Sequence, residues 1–208
     1  MKKIILPALV AVSLLLSGCY ANRTGYGNTG TTTSNGSVLG SVLGSVLSNV
    51  LLGGYGFNSN SILGNWNYSA PGAAFTNQQT LNKAGGVNAA ANIVSALTPT
   101  YNQMGITRNN TSFNFGADNT FAAKVNGIPF NGTYVFDTNT GKITLKSGNQ
   151  TIKGDVIKTD NGIGLMFDKN QMVTMLQKVG QVNNATAVQA VSKLASTDGA
   201  RVGFQLTK

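Results

Sequence analysis

The chain contains no histidine and no glutamate, and its single cysteine is Cys19. Histidine and glutamate are among the side chains that most often transfer protons in enzymes. Without histidine, a serine–histidine–aspartate triad cannot be built. These absences predict that the protein is not an enzyme and that it uses no cofactor.

The acidic groups that remain are six aspartates, and several of them occupy turn sequences. Asp118, Asp137 and Asp160 each precede asparagine or threonine, where aspartate commonly bonds to the nearby backbone. The stretch Asp137-Thr-Asn139-Thr-Gly141 has alternating oxygen ligands like the start of a calcium loop, but no acidic residue follows to complete the site. We therefore expect a hairpin turn there, and no metal site.

Basic residues outnumber acidic ones by 15 to 6, which gives a formal net charge of +9. Such a balance often indicates nucleic-acid binding. Here the lysines are spread singly over predicted strands and turns, without a basic run or interleaved aromatic residues; they include Lys142, Lys146, Lys153, Lys158 and Lys169. We expect these lysines to lie on the solvated outer faces of strands and turns, and we expect no nucleic-acid partner. Weak attraction to anionic lipid or lipopolysaccharide surfaces is the alternative.

The N-terminus has the three parts of a secretory signal peptide. A charged start at Met1–Lys3 precedes an apolar run from Ile4 to Leu16, and Leu16-Ser17-Gly18-Cys19 supplies small residues for cleavage. The apolar run is too short for a transmembrane helix, which needs about 20 residues. We predict a signal peptide over residues 1–18, cleaved after Gly18.

The motif Leu-Ser-Gly-Cys that ends at Cys19 resembles the lipobox of bacterial lipoproteins. In those proteins the cysteine thiol is diacylated and, after cleavage, the new amino group is acylated as well. Three acyl chains exceed the two signals that stable anchoring requires. Lipidation would also account for a cysteine that is unpaired in an oxidising compartment. We expect Cys19 to carry the lipid anchor and the membrane to be a partner.

Residues 19–60 are predicted to form a polar tether that contains a tetrapeptide repeat. The stretch 20–36 is small, polar and aperiodic, and the repeat then runs from Ser37 to Leu52 as SVLG, SVLG, SVLS and NVLL. A period of four is close to the helical 3.6, so the valines and leucines would share one stripe of a marginal helix. That stripe needs a surface, which could be the folded domain, the membrane interface or another copy. A mobile linker is the alternative.

From residue 61 onward the hydrophobic pattern has period two, which is typical of strands with one buried and one wet face. Eight segments show it, and hairpin-type turns separate most of them. Their bulky positions are Ile62, Gly64, Trp66 and Tyr68; Phe113 and Phe115; Phe121, Ala123 and Val125; Ile128, Phe130, Gly132, Tyr134 and Phe136; Ile143 and Leu145; Ile152 and Val156; Ile163, Leu165 and Phe167; Val202, Phe204 and Leu206. Eight antiparallel strands remove their edges by closing into a barrel. We therefore predict a mainly β (α+β) fold in which residues 61–208 form an eight-stranded antiparallel β-barrel.

Segments with helical spacing interrupt the strands in two places. Residues 78–104 form the first, with a break at Gly85-Gly86 and apolar residues that include Leu81, Ile93, Leu97 and Tyr101. The second precedes the last strand, where Asp168 and Asn184 are candidate N-caps of two further helices. We predict helical insertions after the first strand and before the last strand.

In a closed barrel the first and last strands are neighbours, which would bring Trp66 close to Arg201. A guanidinium over the indole face would contribute about 0.5–2 kcal/mol. Gly64-x-Trp66 on the first strand with Arg201 on the last resembles the short motif of the lipocalin and fatty-acid-binding superfamily. We predict that Gly64, Trp66 and Arg201 close the barrel.

The whole chain resembles a lipocalin-like lipoprotein family of Bacteroides-type bacteria, a domain of unknown function. The resemblance rests on the lipobox, the repeat and the segments ILGNWNYSAPGAAF, LNKAGG, FNFGADNTFAAKVNG, GTYVFDTNTGKITLK and DGARVGFQLTK. It implies a calycin-type barrel in a Gram-negative cell envelope, and it transfers no catalytic residues. Surface-exposed lipoproteins of such bacteria usually carry acidic residues after the lipidated cysteine, where this chain has Tyr20-Ala21-Asn22-Arg23. We therefore expect an outer-membrane protein that faces the periplasm.

Two functions are compatible with this sequence. In the first, the barrel binds a small hydrophobic or amphipathic ligand, with the helices of residues 78–104 as a lid. The candidate ligand-lining residues are Phe113, Phe115, Phe121, Phe130, Tyr134, Phe136, Phe167 and Phe204. In the alternative, these side chains fill the barrel, and the domain is a non-catalytic structural or interaction module of the envelope. A pocket lined by inward positions favours the first function, and an exposed apolar patch on a filled barrel favours the second.

Overall fold

The structure is a computed structural model that describes residues 56–159, 161–180 and 185–208. The predicted signal peptide, Cys19 and nearly all of the predicted tether with its repeat lie outside the described residues. Asp160 and the candidate N-cap Asn184 lie outside them as well. The signal peptide, the lipidation of Cys19, the tether and the cap at Asn184 therefore stay predictions.

In the described part of the chain, eight antiparallel strands form a closed barrel. They are β1 (Gly64–Phe75), β2 (Ser112–Phe115), β3 (Thr120–Val125), β4 (Ile128–Phe136), β5 (Lys142–Ser147), β6 (Gln150–Thr159), β7 (Gly162–Phe167) and β8 (Ala200–Thr207). Each strand pairs with its neighbour along the chain, and β8 returns to pair with β1. The predicted eight-stranded antiparallel barrel is confirmed. Closure gives the terminal strands backbone partners that an open sheet would leave unpaired.

Four helices among the described residues are inserted at the two predicted places. α1 (Gln78–Lys83) and α2 (Val87–Gln103) lie between β1 and β2, whereas α3 (Lys169–Lys178) and α4 (Ala185–Leu194) lie between β7 and β8. Gly85 and Gly86 both have positive φ, at 107° and 69°, so the chain leaves the helical conformation between α1 and α2. Asp168 caps α3, because its side chain accepts a hydrogen bond of 2.9 Å from the Gln171 N–H.

The alternation of buried and exposed side chains is clearest in β3, where Phe121, Ala123 and Val125 are buried and the residues between them are exposed. The hairpin from β3 to β4 turns at Asn126 and Gly127, whose φ values of 52° and 75° suit a type I′ turn. Ile128 follows this turn. It was expected on the buried face, but it is 42 % exposed because it lies beside the turn at the end of its strand.

β1 runs to Phe75, well beyond Tyr68, the last of the alternating positions identified in the sequence. A β-bulge between Tyr68 and Ala70 shifts its register against β8. Residues 71–75 are all buried, so no alternation marks this half of the strand in the sequence. Pro71 is tolerated because this half pairs with β8 only, while β2 pairs with the first half of the strand.

The predicted contact between Arg201 and Trp66 is wrong. β8 runs antiparallel to β1, so Arg201 at the start of β8 lies opposite Ala74 near the end of β1. The Arg201 Nε atom lies 3.4 Å from Oδ2 of Asp155 on β6. The cation over the Trp66 ring is Lys208, whose Nζ is 4.8 Å from the ring centroid. The first and last strands are neighbours as expected, but their register places Lys208 and not Arg201 over the Trp66 ring.

Gly64 and Trp66 lie at the start of the closing strand. Gly64 has a φ of 99° and pairs with Phe115 on β2. Trp66 is buried, and its Nε1 donates a hydrogen bond of 2.7 Å to the Ile62 carbonyl oxygen. This bond ties the chain that enters the barrel to the first strand.

A single large hydrophobic cluster joins the barrel interior to the buried faces of the helices. Its helical members include Leu81 of α1, Leu97 and Tyr101 of α2, Met172 and Met175 of α3, and Val191 of α4. The helices therefore pack on the barrel and share its core.

Candidate functional site

Most of the aromatic residues predicted to line a ligand site are packed against one another inside the barrel. Seven of the eight have at most 5 % of their surface exposed; they are Phe113, Phe115, Phe121, Phe130, Tyr134, Phe167 and Phe204. Side chains around a ligand chamber would keep accessible surface toward it. These rings contact each other at centroid distances of 5.1–6.5 Å, which is typical of packed aromatic pairs. Within the described residues, they form core.

Phe136, the eighth of these residues, lies at the end of β4 and is only partly buried. Its ring meets Phe57 edge-on, with the centroids 5.3 Å apart. Lys158 places its Nζ 5.4 Å from the Phe57 centroid and donates a hydrogen bond to the Gly56 carbonyl oxygen. The segment before β1 is therefore attached to the ends of β4 and β6.

A surface groove of about 570 Å³ lies between α2 and β1. Its lining comes from residues 68–71 of β1, from one side of α2 between residues 94 and 102, and from residues 106–108 of the loop that follows. Its volume lies within the roughly 300–1,000 Å³ of sites that hold small molecules. None of the eight aromatic residues considered above lines this groove.

The groove combines an apolar floor with polar groups. Ala70 is half-buried and Pro99 is exposed, so both keep apolar surface toward the groove, whereas Pro71, Val94 and Ile106 are buried in its wall. Pro99 lies inside α2 and also lines the groove. Because proline has no N–H, the carbonyl group of Ser95 loses its partner in the helix and is available as a hydrogen-bond acceptor.

Arg108 is the one charged residue among the described residues that line the groove. It is exposed, and its Nη1 lies 3.5 Å from the Thr207 hydroxyl oxygen, at the end of β8. A contact of this length is weak, so the guanidinium keeps most of its donors for other partners. The groove therefore has a cationic end.

Two buried tyrosines hold α2 against the barrel. The Tyr101 hydroxyl donates a hydrogen bond of 3.1 Å to the Gly203 carbonyl oxygen, and its ring centroid lies 6.2 Å from that of Tyr68. Burial raises the pKa of Tyr101 well above its ordinary value, and a charge on Tyr68 would raise it further. Burial also raises the pKa of Tyr68, which lines the groove. Both side chains therefore stay neutral.

A second cavity, of about 400 Å³, lies where α3 begins and the chain enters β8. Its charged lining residues are Asp168, Lys169, Asp198 and Arg201. Asp168 is already the N-cap of α3. Arg201 pairs with Asp155, which also accepts Lys142 with Nζ and Oδ1 3.1 Å apart. Two of the four charged groups are thus engaged in holding the fold.

Asp118 and Asp137 lie in turns and make local hydrogen bonds. The Thr120 hydroxyl donates to Asp118 at 2.7 Å, and the Thr140 hydroxyl donates to Asp137 at 2.6 Å. These hydroxyl groups are the main reason that the pKa of each carboxyl lies below its ordinary value. In residues 56–159, 161–180 and 185–208, no three histidine, cysteine or acidic side chains converge on a common point.

A closed eight-stranded antiparallel barrel with inserted helices defines a lipocalin-like domain. The chain belongs to the family described as "Lipocalin-like domain (DUF4923)", whose profile matches residues 41–208. This confirms the lipocalin-like resemblance seen in the sequence. No curated protein and no solved structure matches the chain. Among the described residues, no helix has the length and hydropathy needed to cross a bilayer.

The groove was not predicted from the sequence. The helices of residues 78–104 were expected as a lid, but α2 packs one face into the core and lines the groove with another. A signal was present, because Ser95, Thr98, Pro99 and Asn102 follow the spacing i, i+3, i+4, i+7 and so share one side of a helix. A polar stripe is the usual solvent-facing side of such a helix, but a proline inside the helix is unusual.

Proposed function

We propose that the protein is a lipid-anchored cell-envelope protein whose lipocalin-like barrel binds a small amphipathic molecule in the groove between α2 and β1. The observation that carries this proposal is the groove, which has an apolar floor and one cationic end. The barrel interior is a weaker candidate, because packed aromatic rings occupy it. We therefore place the ligand site on the outer flank of the barrel, and not in its interior as the sequence suggested.

The chemistry of the groove favours a ligand with an apolar body and one acidic group. Ala70 and Pro99 would contact the apolar body. Arg108 would pair with a carboxylate or phosphate, because its guanidinium offers several donors in one plane. The free carbonyl of Ser95 could accept a hydrogen bond from a hydroxyl or amide of the ligand.

The envelope location is supported by the N-terminal sequence. A charged start, a short apolar run and Leu16-Ser17-Gly18-Cys19 are the elements of a lipoprotein signal. The absence of acidic residues directly after Cys19 favours the periplasmic side of the outer membrane. A ligand taken from the membrane or the periplasm would then be within reach of the anchored domain. Metabolic labelling with a palmitate analogue should modify the wild-type chain and leave Cys19→Ala unlabelled, and labelling of Cys19→Ala would contradict the anchor.

Ligand binding can be measured on lipidated protein purified from its native envelope. We expect mass spectrometry to find an acidic amphiphile that copurifies with the wild type. Thr98→Trp places an indole in the groove and should abolish copurification. Gln177→Trp, on an exposed position of α3 outside the groove, is the matched control and should retain the ligand. Equal ligand in both variants, or none with the wild type, would contradict binding in the groove.

The role of Arg108 is tested with a fluorescent fatty acid and the corresponding fatty alcohol. Arg108→Gln should weaken binding of the acid roughly tenfold, since a hydrogen bond to a charged group contributes about 1.5–3 kcal/mol. Binding of the alcohol should change little. Equal losses for the acid and the alcohol would show that Arg108 does not recognise an acidic group.

A second candidate function is a non-catalytic interaction module of the envelope. The observation that favours it is the filled barrel, in which Phe204 alone touches the rings of Tyr68, Tyr101, Phe113 and Phe167. Crosslinking in the intact envelope distinguishes the two functions. The module predicts one defined protein partner at a yield that Thr98→Trp leaves unchanged, together with no copurifying amphiphile.

A further inference from the structure

The outer face of β6, β7, β8 and β1 carries a small hydrophobic cluster that is separate from the main core. It consists of Ala74 on β1, Ile157 on β6 and Met166 on β7. On β8, Gly203 pairs with both Met166 and Gly72, so it bridges the cluster. We name this surface the glycine–methionine patch and define it as Gly72, Ala74, Ile157, Gly164, Met166 and Gly203.

The Met166 and Ile157 side chains fill the space above two glycines of this patch, Gly72 and Gly164. The Met166 methyl group lies so close to Gly72 and Gly164 that a Cβ atom at either position would collide with it. The Ile157 side chain is similarly close to Gly164. The patch is therefore a continuous apolar surface against which side chains of another segment could pack.

The patch is buried although it faces away from the barrel interior. Met166 has no exposed surface, and Ala74 and Ile157 are 2 % and 5 % exposed. An outward residue on a bare part of the wall is open to solvent, as Val135 on β4 shows at 69 %. The buried apolar side chains of α1 to α4 belong to the main core and not to this cluster. Their apolar faces do not supply the cover.

A polar group at the rim of the patch also lacks a partner. Gln205 is 6 % exposed, and its side chain lies against Gly72 on the outer face of β8. Among the described residues, its Nε2 has no hydrogen-bond partner. A buried amide of this kind normally finds an acceptor. Whatever covers the patch should therefore offer a hydroxyl or carbonyl oxygen.

The described chain begins at the end of the barrel where β4 and β6 finish. Gly56 accepts a hydrogen bond from Lys158, which follows Ile157 on β6, although the two side chains lie on opposite faces of the strand. Residues 53–55 separate this point from the repeat at 37–52, and three extended residues span about 10 Å. As a helix, the repeat would be about 24 Å long. Four neighbouring strands are roughly 14 Å wide, so one helix could cross the whole patch.

We propose that the tetrapeptide repeat, residues 37–52, docks on the glycine–methionine patch. Its valines and leucines would form an apolar stripe that packs on this surface, and its serines would offer oxygen atoms to Gln205. The family match begins at residue 41 and so includes most of the repeat within the domain. Docking would shorten the tether between Cys19 and the folded domain to residues 20–36.

Oxidation of Met166 by hydrogen peroxide, followed by peptide mass spectrometry, tests this docking on the lipidated full chain in phospholipid vesicles. One variant replaces Val38, Leu39, Val42, Leu43, Val46 and Leu47 with serine. Met166 should be protected in the wild type and oxidised roughly tenfold faster in this variant, because methionine oxidation follows exposure. Met172 and Met175, buried in the main core, are internal controls that should not change.

As a control, deletion of residues 20–35 removes a polar stretch as long as the repeat but keeps the repeat itself, and it should leave Met166 protected. Unchanged protection in the serine variant, with a folded barrel, would overturn the proposal. The same oxidation of Met166, measured on Cys19→Ser without vesicles, distinguishes the repeat from two other occupants of the patch, the membrane and a second copy of the chain. Protection of Met166 there at low protein concentration supports the repeat. Protection that requires vesicles or high protein concentration would instead assign the patch to the membrane or to a second copy, and would overturn docking of the repeat.

Discussion

Two parts of the barrel wall differ in how they are buried. In β3 the side chains alternate, with Phe121 and Ala123 inside and Ala122 and Lys124 exposed. In β7, residues 163–167 are buried without a break, and β8 and the second half of β1 show the same continuous burial. The wall at β3 has one face exposed to solvent, whereas the wall formed by β7, β8 and the second half of β1 is buried on both faces.

The difference indicates where the barrel makes its further contacts. Both parts contribute to the same packed interior, so the interior does not distinguish them. The glycine–methionine patch lies across the part buried on both faces, on β1, β8, β7 and β6, and the groove beside α2 adjoins it at residues 68–71 of β1. In this lipocalin-like domain the candidate binding surfaces are therefore on the outer flank of the barrel.

The largest expected effect concerns the interior that the two parts share. Phe204→Ala removes a ring that touches Tyr68, Tyr101, Phe113 and Phe167. We expect a loss of about 3–5 kcal/mol in the free energy of unfolding, measured by urea denaturation. The milder Phe204→Leu keeps the fold measurable if the alanine variant does not fold. A loss below 1 kcal/mol in both variants would show that the interior is not tightly packed.

A pair of outward residues compares the two parts of the wall directly. Met166→Ala on β7 should cost about 2–3 kcal/mol, because it empties a covered site. Val135→Ala on β4 should change stability by at most about 0.5 kcal/mol, since this side chain is exposed. Both values come from denaturant unfolding of the full chain. Equal effects would remove the distinction between the two parts.

The attachment of α2 is tested with Tyr101→Phe, which removes a buried hydroxyl and its hydrogen bond to the Gly203 carbonyl oxygen. The expected loss is about 1 kcal/mol in the free energy of unfolding near neutral pH. Thermal or denaturant unfolding of the two proteins in parallel gives the value. No loss would mean that this bond does not hold the helix.

The same tyrosine gives a pH dependence. Because the folded protein raises the pKa of Tyr101, the stability that depends on its neutral form is fully present below about pH 10 and is lost as the pH rises above it. The wild type should therefore lose more stability between neutral and strongly alkaline pH than Tyr101→Phe does. Identical alkaline profiles would show that the buried phenol does not contribute.

The smallest effect concerns the cation beside the single tryptophan. Lys208→Met removes the ammonium over Trp66 and should change the emission of Trp66, with a cost of about 0.5–1 kcal/mol. Arg201→Met is the matched control, because Arg201 lies beside Asp155 and Ala74 instead. Emission that responds to Arg201 and not to Lys208 would restore the contact expected from the sequence.

Much of the fold can be predicted from the sequence, because a strand with one solvent-exposed face has alternating apolar and polar residues. The alternation through Phe121, Ala123 and Val125 identifies β3, and the asparagine–glycine turn identifies its hairpin. The second half of β1 has no such alternating pattern. Both of its faces are buried, a bulge after Tyr68 interrupts the period, and Pro71 is typical of a loop.

The register between β1 and β8, which closes the barrel, and the position of the groove both depend on contacts between residues far apart in the sequence. A motif can indicate that β1 and β8 are neighbours, but their register decides whether Arg201 or Lys208 reaches Trp66. The groove forms only because α2 folds back beside β1, with Tyr101 bonded to Gly203 far along the chain. The eight aromatic residues were correctly identified as inward positions, with Phe136 partly buried, but the sequence cannot show whether they surround a space or fill it.

The packed interior can be examined most directly in crystals pressurised with xenon, which enters dry apolar cavities. We predict no xenon site among the rings of Phe113, Phe121, Phe130 and Phe204, because these side chains contact their neighbours. Xenon bound between those rings would contradict a filled barrel, and would return the ligand site to the interior.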